Sequence, residues 1–176
     1  PGTSQFHHVQ ALSRLLTSSP FASVQTVAWV PETVTGPNAL VALSCRNIVM
    51  HPDAELGDLG RGQPLEPEDQ QIALAVAQKR QNPLVSTALM RAMLDPQEQL
   101  WRVRIKSTKG DAERSETRAV TRSELETIRA TGAQIEAAEV IKETGVLGTF
   151  RGSTARDLEI LVTQTADSRP AVAALY

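Results

Sequence analysis

The sequence predicts an α/β domain. Short apolar runs of strand length, bounded by Pro, Gly, Asn and Asp, alternate with stretches whose apolar residues recur at helical spacing. The chain has 176 residues, which suits a single domain over residues 1–176 that buries about 70% of the unfolded chain's surface. Aromatic residues make up only 3%, so the core must rest on Leu, Val, Ile and Ala. Strands that alternate with helices predict a largely parallel sheet.

Pro1-Gly2-Thr3-Ser4 reads as a turn with Thr3 or Ser4 as a helix N-cap, and Phe6, Val9, Leu12, Leu15 and Leu16 then share a helical face. Val27 to Val30 is a strand expected to be buried on both faces. Gly36-Pro37-Asn38 opens a helix, because the N–H that Pro lacks would be unpaired at the first helical position. Ala39 to Cys45 is almost wholly apolar, so that helix is expected to be buried all round. Ile48 to Met50 is the next strand, and Gly57 and Gly60 mark a tight loop.

Glu66 to Lys79 is a helix with acidic residues early and Lys79 late, as the helix dipole favours. Leu84 to Leu94 is a second helix. Trp101 to Ile105 alternates apolar and basic residues, the pattern of a strand with one wet face, and Arg118 to Thr121 is its hairpin partner across a turn at Lys109-Gly110-Asp111. Thr121 and Glu124 have capping-box spacing for a helix closed by Gly132. Ala137 to Ile141 and Ile160 to Val162 read as strands, Ser153 to Leu158 and Asp167 to Leu175 as helices.

Several function classes are disfavoured. The formal net charge of -2 gives no electrostatic footprint for nucleic acid. The single cysteine, Cys45, allows no intrachain disulfide and reads as a buried structural thiol. His7, His8 and His51 lack companions at metal-ligand spacing, so neither a metal nor a cofactor is expected. No apolar run reaches the ~18 residues of a membrane span.

Asn38 to Gly60, with the strand Thr26-Val-Ala-Trp-Val-Pro31 before it and Gly148 to Leu158 after it, resembles the NfeD family. These are membrane-associated relatives of Clp protease and signal peptide peptidase A, and the nearest likeness is to the planctomycete-type variant without the serine. Pro1-Gly2 is similar to the family's Pro-Gly-Gly turn. The resemblance implies a ClpP/crotonase-like spiral of ββα units, a Ser-Lys peptidase dyad in active members, homo-oligomers, and a peptide or protein segment held in a groove. It also implies a fragment of a longer, membrane-anchored parent, with this domain outside the bilayer.

Carried over residue by residue, the resemblance puts Gly36 at the serine position and Pro37 next to it. Gly36 has no nucleophile, and Pro37 has no N–H to stabilise an oxyanion. The oxyanion region is Gly2, Thr3, Pro37 and Asn38, with Thr3 in place of the family's second glycine. The family lysine falls near Ala73 to Val76, where there is none; Lys79 lies a turn further on. Thr35 and Ser44 are the nearby hydroxyls, but neither has a base beside it in sequence. The expectation is a catalytically degenerate domain that binds or assembles. The alternatives are an active peptidase with a relocated nucleophile, Thr35 with Lys79, and a crotonase-type acyl-coenzyme A enzyme.

Overall fold

The computed structural model describes residues 6–19, 21–79, 82–109 and 112–176. After helix α1 (Phe6–Leu16), the chain runs β1 (Val27–Val30), β2 (Val34–Thr35), α2 (Ala39–Leu43), β3 (Asn47–Met50), β4 (Glu55–Gly57), α3 (Pro67–Gln78) and α4 (Thr87–Leu94). It continues through β5 (Leu100–Lys109), β6 (Ala112–Thr121), α5 (Arg122–Ala130), β7 (Gln134–Lys142), β8 (Thr149–Arg151), α6 (Gly152–Asp157) and α7 (Arg169–Ala174). Mixed helices and strands agree with the α/β expectation.

The sheets are not largely parallel. β1 pairs with β3 and β2 with β4 in parallel, but β8 joins β4 antiparallel, and the longest strands form an antiparallel sheet in the order β6-β5-β7. The long hairpin accounts for this. Lys109 and Ala112 are directly paired, so β6 returns along β5 at once, with no crossover helix to make the pair parallel. Strand β1 is also less enclosed than its apolar run suggests: its sheet has two strands, and only Val30 is buried.

The main core gathers α2, α4 and β3 around Leu40, Leu43, Met50, Leu56, Leu89 and Met93. Within α2, Ala39, Leu40, Ala42 and Leu43 are buried and Val41 is half-buried. A second cluster, built on Val103, Ile105, Val120 and Leu125, lies between the hairpin sheet and α5. That helix starts with the expected capping box: Glu124 N–H donates to Thr121 Oγ1 at 3.2 Å, and Thr121 N–H donates to Glu124 Oε2 at 2.8 Å.

Three further expectations need correction. First, α1 buries Val9 and Ser13, while Leu12 and Leu15 remain 44% and 47% exposed. The stripe of Val9, Ser13 and Thr17 at four-residue spacing brings small side chains to the inner face. Thr17 satisfies its hydroxyl by donating to Ser13 O at 2.9 Å. Second, α4 begins at Thr87 rather than Leu84, because Ser86 is its N-cap and accepts from Leu89 N–H at 3.1 Å. Third, Ile160 to Val162 is buried but is no strand. Glu159 and Leu161 have φ of 58° and 59°, which breaks an extended run. Thr165 instead bridges Met50 of β3, and Ala166 N–H donates to Met50 O at 3.0 Å. The anticipated Thr3 or Ser4 cap and the Gly110-Asp111 turn lie outside the described residues.

Candidate functional site

The turn from β2 into α2 is built by three crossing connections. Thr35 pairs with Gly57, which sets the end of β2 against the end of β4. Gly36 then takes φ of +76°, a conformation costly for any residue with a β-carbon, and donates its N–H to Asp58 O at 2.7 Å. Asp58 in turn donates its N–H to Gly148 O at 2.7 Å. Gly57, with φ of +145°, lets this approach occur: a β-carbon there would overlap Gly148 O and lie 2.9 Å from Thr149 Cα.

The loop after β4 folds back over this turn. Arg61 N–H donates to the same Asp58 carbonyl at 3.2 Å, and both Asp58 carboxylate oxygens accept from Gly62 N–H, at 2.9 and 2.8 Å. The result places the Arg61 side chain against Gly36. A β-carbon on Gly36 would overlap Arg61 Nε and stand 2.8 Å from its Cγ and 3.0 Å from its Cδ.

The resemblance assigns the nucleophile to Gly36; Arg61 now fills the space a side chain there would need. The amide of Gly36 is committed to Asp58, and Pro37 has none to give. The following amides are committed too. Ala39 N–H donates to Gly36 O, Leu40 N–H to Pro37 O and Val41 N–H to Asn38 O, at 3.0, 3.0 and 3.1 Å. Asn38 is the α2 N-cap but makes no side-chain cap hydrogen bond. Gly2 and Thr3, the other half of the expected oxyanion region, lie outside the described residues.

The remaining candidates are dispersed. Thr35 is half-buried at the end of β2, and its hydroxyl has no hydrogen-bond partner among the described residues. Lys79 caps the far end of α3 and donates to Thr17 Oγ1 at 3.1 Å, beside α1. Thr17 spends its own proton on Ser13 O, so this hydroxyl–lysine contact has the ammonium as donor and is not an activated nucleophile. His51 Nδ1 accepts from Asp53 N–H at 3.1 Å, a structural role at the end of β3. Ser44 is buried and donates to Leu40 O at 2.6 Å. Burial pushes the Cys45 thiol up, with a hydrogen bond to Thr26 pulling the other way. No group of three His, Cys, Asp or Glu side chains converges among the described residues. No helix among them is long and apolar enough to cross a membrane.

Sequence reasoning missed two side chains. Arg61 stands beside the tight loop that Gly57 and Gly60 mark, and its reach back to Gly36 depends on left-handed backbone at Asp58 and Arg61, with φ of 43° and 55°. Lys142 is 7% exposed, and its ammonium donates to Asp95 O and Pro96 O at 3.1 Å each and to Glu98 O. Burial lowers the Lys142 pKa, while the Asp95 and Glu98 carboxylates oppose that shift. Those three carbonyls follow the C-terminus of α4, so Lys142 ties that end to the last residue of β7.

Comparison with protein-family models, characterised proteins and solved structures finds no match.

Proposed function

We propose that this chain is a protease-like domain of the ClpP/crotonase class, related to the NfeD type, that has lost peptide cleavage and serves in binding or assembly. One observation carries the reading: the turn where such a domain would keep its nucleophile is closed. Gly36 offers no hydroxyl, its amide is bonded to Asp58 O, Pro37 has no amide hydrogen, and Arg61 covers the α-carbon. An oxyanion hole needs N–H groups aimed at empty space, and losing one such donor costs about 3–4 kcal/mol of transition-state stabilisation.

The element order supports the spiral. Two strands followed by a helix occur at β1-β2-α2 and β3-β4-α3; the later strands depart from this, since β5 and β6 pair with each other antiparallel and β7 and β8 pair antiparallel with β5 and β4. In the first two units the first strands pair with each other in parallel, and so do the second strands, as stacked repeats require. A homo-oligomer, a membrane-anchored parent and a groove that holds a polypeptide segment belong to the same proposal.

The test is hydrolysis of fluorescently quenched casein by the purified domain, with the Thr35→Ala variant in parallel. The expected result is no turnover above buffer for either protein. Turnover by the unsubstituted domain that Thr35→Ala abolishes would overturn the reading in favour of a relocated nucleophile. The acyl-coenzyme A alternative meets the same obstacle, since the thioester oxygen also needs free N–H groups at this turn.

A further inference from the structure

The antiparallel sheet β6-β5-β7 has two outer strands, and they differ. Strand β7 follows β5 with register shifts at Leu100/Trp101 and at Arg104/Ile105. Strand β6 follows β5 without a break for ten residues, from Leu100↔Thr121 to Lys109↔Ala112. Bulges blunt an edge; an unbroken strand presents a row of backbone donors and acceptors ready to pair. Among the described residues, no backbone hydrogen bond joins the outer side of β6 to any other part of the chain. Ser115, Glu116 and Arg118 are exposed, and a cleft of about 640 Å³ lies alongside, lined by Glu116 and Arg118 on one side and by Val85 and Ser86 on the other.

Charge then selects the occupant. Glu116 and Arg118 are two residues apart, so they project from the same face of β6. Neither has an ion-pair or hydrogen-bond partner among the described residues, and the residues opposite them on β5 are the apolar Ile105 and Val103. We infer that β6 pairs with β6 of a second copy of this chain, antiparallel and about a two-fold axis at Thr117. That register sets Glu116 opposite Arg118 of the second copy and Arg118 opposite its Glu116, with Ser115 opposite Ala119. Sliding by one pair in either direction sets Glu116 against Glu116 or Arg118 against Arg118. Like charges directly opposite each other are destabilising, so Glu116 and Arg118 favour this register over the two adjacent ones. A two-fold contact of this kind is self-complementary by construction. The inference stands on the sheet alone and does not depend on the protease resemblance.

Sedimentation velocity over a concentration series from about 5 µM to about 500 µM tests it by mass action. The unsubstituted chain is expected to pass from monomer to dimer across the series. Glu116→Arg creates two Arg–Arg contacts and Arg118→Glu two Glu–Glu contacts, so each raises the dimer dissociation constant about tenfold or more. The double variant E116R/R118E exchanges the charges and restores the dimer. All four proteins keep the same circular dichroism, since both positions are exposed. A chain that stays monomeric throughout, or a dimer that the single variants leave intact or the double variant fails to restore, overturns the inference.

Discussion

The side chain of Arg61 lies across Gly36, with its Cγ and Cδ at 2.8 and 3.0 Å from where a β-carbon on Gly36 would stand. One carbonyl holds both residues: Asp58 O accepts from Gly36 N–H at 2.7 Å and from Arg61 N–H at 3.2 Å. The strand end, the helix start and the glycine-rich loop are thereby drawn into one knot at the turn where the proposed protease-like reading would need open space for chemistry.

Substitution at this knot separates its two constraints. Gly36→Ala forces a β-carbon into left-handed backbone, at about 1–2 kcal/mol, and adds the collision with Arg61. Urea unfolding is expected to show a loss in that range or larger. In the Arg61→Ala background the same Gly36→Ala change costs less, because the contact is gone and only the backbone penalty remains. Equal losses in the two backgrounds would show that Arg61 does not press on Gly36.

Lys142 joins the C-terminus of α4 to the hairpin sheet through three carbonyls. Lys142→Met keeps the stem and leaves those oxygens without their donor. Hydrogen bonds to a charged group contribute about 1.5–3 kcal/mol each, partly offset here because the buried ammonium is itself costly to desolvate. The expected net loss is about 2–3 kcal/mol, read from the urea midpoint. A change below about 0.5 kcal/mol would mean that the three contacts do not act as a tether.

The pH dependence of stability carries a sign that Glu98 sets. Burial raises its pKa above the ordinary 4.5; Arg91 pulls it down, Asp95 and Glu124 push it up, and Lys142 pulls it down. In the window just above pH 4.5 the folded chain holds this proton more tightly than the unfolded chain, so this group's contribution to stability falls as pH rises through the window. Glu98→Gln has no such proton. The variant is therefore expected to gain stability relative to the unsubstituted chain between about pH 4 and about pH 7. A difference that is flat with pH, or of opposite slope, would contradict the assignment.

Thr121→Ala removes the cap of α5 and leaves the Glu124 amide unpaired. The expected loss is about 1 kcal/mol, since helix caps of this type contribute that much. Thr121→Ser should recover most of it, because a serine hydroxyl accepts the same N–H. Failure of serine to recover stability would assign the loss to packing around the buried methyl group instead.

Much of this fold was legible in local residue chemistry. Thr121 and Glu124 announced α5 because a capping box is satisfied within four residues. Pro37 marked the approach to α2, although the helix begins two residues later, after its N-cap Asn38, and the early Glu68 and Asp69 with the late Lys79 marked α3. What could not be read was set by distant partners. Leu12 and Leu15 have the pattern of a buried face, yet the body of the protein meets α1 along Val9 and Ser13. Ile160 to Val162 has strand composition, but left-handed backbone at Glu159 and Leu161 sends Thr165 to β3 in its place. At the candidate site the missing hydroxyl of Gly36 and the missing amide hydrogen of Pro37 are visible in the sequence. The covering by Arg61 is not, because it needs the 24 residues between them to fold first.

The central claim is that nothing at the β2–α2 turn can attack a carbonyl. Intact-mass spectrometry after incubation with an excess of a fluorophosphonate tests it directly, since such reagents mark activated hydroxyls irrespective of substrate. The account predicts an unmodified mass. A stoichiometric adduct that maps to Thr35 would contradict it.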